Sequence, residues 1–138
     1  MEVRMETTKG LGAEAEVWAG GSLLKVSDAI SPYEGRCPPG LLENVEFAYF
    51  RDEGMSWEDA FAGNRSHRKR LDPVRGWSYV GYGSIVSIMP VVIDFGLLRM
   101  EDPNWVTDNS FIGRYVRIPI DRLEIRPASK RDWPEGME

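Results

Sequence analysis

Two aspartates stand inside apolar, strand-like runs, Asp94 in VVIDFG and Asp121 in IPIDRL, each directly after an isoleucine. A carboxylate enclosed by apolar side chains is expected to titrate high and to act as a general base, which makes these two the candidate catalytic groups. Simple alternation gives the plainer reading, with Asp94 turned away from Ile93 and Phe95 toward water or toward Arg99, Arg117 or Arg122. Nothing in the spacing brings the two aspartates together. Nucleophile and metal chemistry is thinly represented, since the chain has one histidine, His67, and one cysteine, Cys37. Zinc needs several such ligands, so no metal site and no cofactor is expected, while a carboxylate site for a hard cation stays open. His67 lies among Arg65, Arg68, Lys69 and Arg70, a field that opposes the imidazolium needed after proton abstraction, and it reads as a polar surface residue. Gly81 and Gly83 form a GxG pair without the third glycine or the following helix of a phosphate-cradling loop.

The same basic segment is the sharpest charge feature of the sequence. Arg65, Arg68, Lys69 and Arg70, extended by Arg75, offer phosphate contacts, and Trp77, Tyr79, Tyr82 and Tyr115 offer rings on which bases could stack, the two parts that single-stranded nucleic acid requires. A charge run is more often a solvated face, and strand aromatics more often pack in a core. The chain carries 17 basic and 22 acidic residues, a net charge of −5, which disfavours indiscriminate binding to nucleic acid or anionic membrane. Thirteen of the basic residues are arginine and four are lysine, which we treat as background.

These groups must be positioned by strands. Residues Trp77 to Met100 hold the densest run of β-branched and aromatic residues, broken by Pro90, and read as a central hairpin. In it the apolar phase shifts by one residue beyond Gly96, which predicts a β-bulge there, and Gly81 and Gly83 are placed where a side chain would collide with a crossing strand. Ala13 to Ala19 alternates small apolar residues with Glu14, Glu16 and Trp18, and Gly20-Gly21 turns it into a second strand over Leu24 to Ile30. Ser31 to Gly40 reads as loop and Glu43 to Arg51 as a third strand. Ser56 with Asp59 resembles a capping box and opens one short helix, which Gly63-Asn64 stops or weakens and which Asp72-Pro73 ends at the latest. Glu101 to Ser110 is expected to be a long loop, and Arg114 to Arg126 a last strand with a second bend at Asp121.

The chain of 138 residues is expected to be one domain, able to bury roughly 70% of its unfolded surface without a disulfide or metal. The fold class expected is all-β with one short helix, a small closed or partly open barrel over about 11–126 whose element order is analogous to the OB-fold, with flexible termini at 1–10 and 127–138. A lone cysteine and the lack of an apolar run of membrane-spanning length point to a cytoplasmic protein that does not engage membrane. Three functions follow in order. First comes a non-catalytic partner-binding or assembly module, a homo-oligomer or a protein-partner complex anchored by exposed aromatics such as Trp18, Trp105 and Trp133. Its contact is placed near Trp105, Tyr115 and Pro119, the last a residue that fits a sheet edge. Second is single-stranded nucleic-acid binding, and third an enzyme using Asp94 or Asp121.

Overall fold

Gly20 and Gly21 both take positive φ, +56° and +82°, the two left-handed positions of a tight hairpin turn. They join β2 (Glu14–Ala19) to β3 (Ser22–Asp28), and Ala15, Val17 and Ala19 on one side are buried while Trp18 faces out. This is the hairpin that the alternation predicts. The computed structural model describes residues 1–128, and the expectations for Trp133 and for the tail beyond Ala128 lie outside them.

The remaining elements are β1 (Val3–Thr8), β4 (Gly40–Leu42), β5 (Val45–Phe50), α1 (Trp57–Ala62), β6 (Arg70–Arg75), β7 (Ser78–Ile88), β8 (Val91–Asp94), β9 (Arg99–Glu101), β10 (Tyr115–Ile120) and β11 (Arg122–Pro127). They form two sheets. The first has the order β4-β1-β2-β3-β11-β5; in the second β10-β7-β8-β9 are joined in sequence and β6 pairs with β7. Neither sheet closes into a barrel, so the closed barrel is corrected, and eleven strands with the helix after the fifth depart from the OB-like order. One apolar cluster draws on both sheets, with Val17, Val26, Leu123 and Ile125 from the first and Ile85, Ile93, Ile118 and Ile120 from the second. Tyr49 of β5 meets Phe95 edge-on at 5.8 Å across this layer.

Four expectations change for identifiable reasons. The first ten residues are not a flexible terminus: Val3, Met5 and Thr8 are buried, and β1 pairs with both β2 and β4. Burying Val3 and Met5 contributes about 1.5–3 kcal/mol each, which is what an apolar alternation of only two residues can hide in a sequence scan. The helix ends at Gly63, and the expected loop or helix beyond Ser66 instead becomes β6; Pro73 is accepted there because β6 pairs on one side only. Gly96 is not a bulge within a strand. It takes φ +89° in the reversal between β8 and β9, which pair with each other, and the irregularity in register falls at Ile85/Ser87 of β7. The phase change at Asp121 is a change of sheet, since β10 pairs with β7 while β11 pairs antiparallel with β5 and parallel with β3.

The glycines of β7 do what their placement predicts. A Cβ on Gly81 would lie 2.5 Å from Phe95 Cε1, and one on Gly83 would run into the Asp94 carbonyl.

Candidate nucleic-acid interface

In β7 the residues Tyr79, Gly81, Gly83 and Ile85 are buried, so Val80, Tyr82 and Ser84 belong to the opposite face. Register carries this face across three strands. Arg70 of β6 and Arg117 of β10 both stand opposite Tyr82, one on each side, and Tyr115 stands opposite Ser84. The guanidinium groups of Arg70 and Arg68 lie 5.5 and 5.9 Å from the Tyr82 ring centroid. The His67 imidazole stacks on the Tyr115 ring with centroids 4.2 Å apart and planes within 9°. Cations and aromatic rings therefore share one surface.

The loop after α1 is held in place by a buried amide. Asn64, 2% exposed, donates through Nδ2 to the carbonyls of Arg68 and Val116, both at 3.0 Å, and accepts from the Arg68 N–H at 2.8 Å. The bond to Val116 also satisfies a carbonyl on β10, the outer strand of its sheet, where an unpaired edge group would otherwise be open. Gly63 is needed beside it, because a Cβ there would lie 2.7 Å from Arg117 Cβ. The tether forces His67 into the left-handed region at φ +56°, a conformation a residue with a side chain adopts only when its surroundings impose it. Arg114, just before β10, sits 3.5 Å over the Phe61 ring of α1.

Of the residues expected at a nucleic-acid site, Arg65, Arg68, Arg70 and Tyr82 are brought together. Lys69 turns to Asp94 at 3.2 Å, and Arg70 also reaches Asp72 at 3.0 Å. Arg75 and Trp77 lie at the far end of the β6–β7 hairpin beside Lys9 and Glu14. The residues expected at a partner interface do not gather. The Trp105 loop is fixed by Val106 N–H to the Ile88 carbonyl, whereas Pro119 stands opposite Val80, eight residues along β7 or about 25 Å away. Tyr115 belongs to the basic face.

The carboxylates tell against a paired acid-base site. Asp94 stands opposite Ser84, and Ile120, next to Asp121, stands opposite Tyr79, which separates the two by about 16 Å of strand. Asp94 is engaged by Lys69, by Arg99 at 3.7 Å and by the Gly96 N–H at 2.8 Å, while Asp121 is exposed. The buried carboxylates are Asp28 and Asp102, which sequence reasoning missed, and each is saturated. Asp102 accepts from Tyr49 Oη at 2.5 Å, from Arg51 Nε and Nη2 at 2.8 Å each, and from the Asn104 N–H at 3.0 Å. Burial pushes the Tyr49 phenol well up, and the Asp102 charge adds to it; burial opposes the Arg51 charge, but the hydrogen bonds and charge of Asp102 outweigh it. Asp28 accepts from Thr8 Oγ1, from Ser31 Oγ at 2.5 Å, and from the N–H groups of Ile30 and Ser31 at 2.8 Å each. Burial alone would raise the Asp28 carboxyl, and these four bonds hold it below its ordinary value instead. No group of three or more His, Cys, Asp or Glu among the described residues is arranged to hold a metal ion. No helix of the described residues is long and apolar enough to cross a membrane.

No family model, curated protein or solved structure matches this chain.

The site therefore rests on its own geometry. Sequence reasoning missed the contribution of Arg117 and Arg114 and read His67 as surface polarity alone. The signal for Arg117 was present: Tyr115, Arg117 and Pro119 alternate with the buried Val116, Ile118 and Ile120, so a wet strand face carrying a cation and a ring was already visible.

Proposed function

We propose that the outer face of the second sheet binds single-stranded nucleic acid. The observation that carries this reading is the cross-strand row Arg70, Tyr82, Arg117, with Arg68 beside the same ring and the His67–Tyr115 stack one row away. Guanidinium groups match phosphate in geometry and charge, and tyrosine rings take bases of any identity, so the surface would follow a strand with little sequence preference. Arg65, Arg68, Arg114 and Arg117 form no ion pair among the described residues, which leaves their charge available to a phosphate. The net charge of −5 does not oppose this, because the local field of a basic face acts within about a Debye length of 8 Å at physiological salt.

Fluorescence anisotropy with a labelled oligo-uridine and an oligo-thymidine across a salt series tests the proposal. Engagement of three to four phosphates gives a slope of log K against log salt near −2 to −3, and Tyr82→Ala weakens binding by about 1–3 kcal/mol. Absence of binding at low salt would end the reading.

A protein partner remains the second reading, favoured by a different surface. On the outer face of the first sheet Leu41, Arg4, Trp18 and Leu23 stand in register across four strands, with Leu41, Trp18 and Leu23 at 54%, 39% and 43% exposure. Sedimentation at micromolar concentration reads whether a second copy covers that row, and a monomer at all concentrations leaves only a different partner.

A further inference from the structure

At one end of the basic face lies a pocket of about 380 Å³ lined by Asn64, Arg65, His67, Gly113, Arg114 and Tyr115, with Phe61 at its wall. Its volume is at the lower end of the roughly 300–1,000 Å³ typical of small-molecule sites. No carboxylate lines it. The anionic group that acts on Arg114 is Asp108, whose carboxylate is already occupied by the Ser110 N–H at 2.9 Å and the Ser110 hydroxyl at 2.7 Å.

Several features make this a built site rather than a gap between loops. Arg114 is stacked over Phe61, so its guanidinium loses little freedom on engaging an anion. His67 is held at a positive φ by the Asn64 tether and flat against Tyr115, so its ring is fixed in place before any ligand arrives. Two guanidinium forks and an imidazole facing a space without acidic groups suit a dianion better than a singly charged group, and a phosphate monoester carries about −1.5 to −2 near neutral pH. An internal phosphodiester carries one charge.

We propose that the pocket formed by Arg65, His67 and Arg114 binds a phosphate monoester, the phosphorylated end of a nucleic-acid strand lying on the Tyr82 face. The strand, though not the phosphate, rests on the function proposed above. The end would seat against the His67–Tyr115 stack, and the chain would run from there toward Arg117, Tyr82 and Arg70.

His67 is the only histidine of the chain, so its ring signals in proton NMR are a resolved reporter of the pocket. Uridine 5′-monophosphate titrated into the full-length protein shifts those signals saturably, and uridine does not. Arg114→Ala abolishes the shift, with an amide spectrum otherwise like the parent; Arg114→Lys, which keeps the charge without the fork, serves if the alanine variant unfolds and weakens the shift. In anisotropy, a 5′- or 3′-phosphorylated decamer binds about ten- to a hundredfold more tightly than its hydroxyl-ended form, the gain expected of one or two charge-assisted contacts. A His67 signal unmoved by the monophosphate overturns the pocket even if decamers bind, and leaves the Tyr82 face standing. A monophosphate response with no decamer binding supports the pocket and removes the strand-binding reading.

Discussion

Replacing Asp102 by Asn tests the internal logic of the structure directly. The Arg51 and Asp102 side chains are 1% and 0% exposed, so their attraction is hardly screened and neither charge has water to fall back on. Asp102 accepts four bonds, two on each oxygen, from Tyr49, Arg51 twice and Asn104. An asparagine has the same shape but must set its NH₂ against two of those donors whichever way the amide is turned. The buried guanidinium then keeps its charge without an anion, a situation that costs about 3–5 kcal/mol. Unfolding entropy of about 2.1 cal/mol/K per residue over 138 residues gives roughly 290 cal/mol/K, so the midpoint of thermal unfolding falls by about 10–17 °C. Urea unfolding followed by tryptophan fluorescence and by circular dichroism measures the change and checks that the transition stays two-state. Tyr49→Phe removes one donor only and costs less, about 1.5–3 kcal/mol for a bond to a charged group. Replacing the pair together, Arg51→Met with Asp102→Leu, recovers most of the loss, because the desolvation of both charges disappears with them. A loss below about 1 kcal/mol in Asp102→Asn would mean that water reaches the pair, and the reasoning from its burial would fail.

Two further outcomes follow from the geometry. Gly83→Ala places a Cβ 2.9 Å from Ile93 Cγ2 and into the Asp94 carbonyl, and since backbone cannot move aside as a side chain can, it costs about 1–3 kcal/mol in urea unfolding; a neutral variant would show that β7 and β8 separate freely. The Asp28 carboxyl is held below its ordinary value in the folded protein, so its contribution is complete above the unfolded value of about 3.9 and is lost as pH falls through the folded value. Thr8→Val removes one of its donors, and the variant's deficit in thermal midpoint at pH 7 shrinks as pH is lowered through that window; a deficit independent of pH refutes the assignment.

The sequence alone determined the local pieces of this protein. Gly20-Gly21 closes a hairpin because two adjacent left-handed residues are a local demand, and Ser56 and Gly63 bound a helix because capping acts within one turn. The strands Glu14–Ala19, Val45–Phe50 and Ser78–Ile88 were legible for the same reason, as alternation is written residue by residue. What the tertiary structure decided was the meaning of each break in that alternation. A one-residue change of phase is produced equally by a bulge, a chain reversal and a change of sheet, and only long-range pairing separates them: Gly96 is a reversal, Asp121 a change of sheet, and the irregular register sits at Ile85/Ser87. The basic run at 65–70 was visible as charge, yet its position depends on Arg117 and Tyr115, residues some fifty positions later that β10 sets opposite Tyr82 and Ser84. Buried polar residues were the least legible of all. Asp28, Asp102 and Arg51 look like surface residues in a linear chain, and they stay charged in the interior because hydrogen-bond donors and counter-charges distant in sequence converge on them once the sheets have packed.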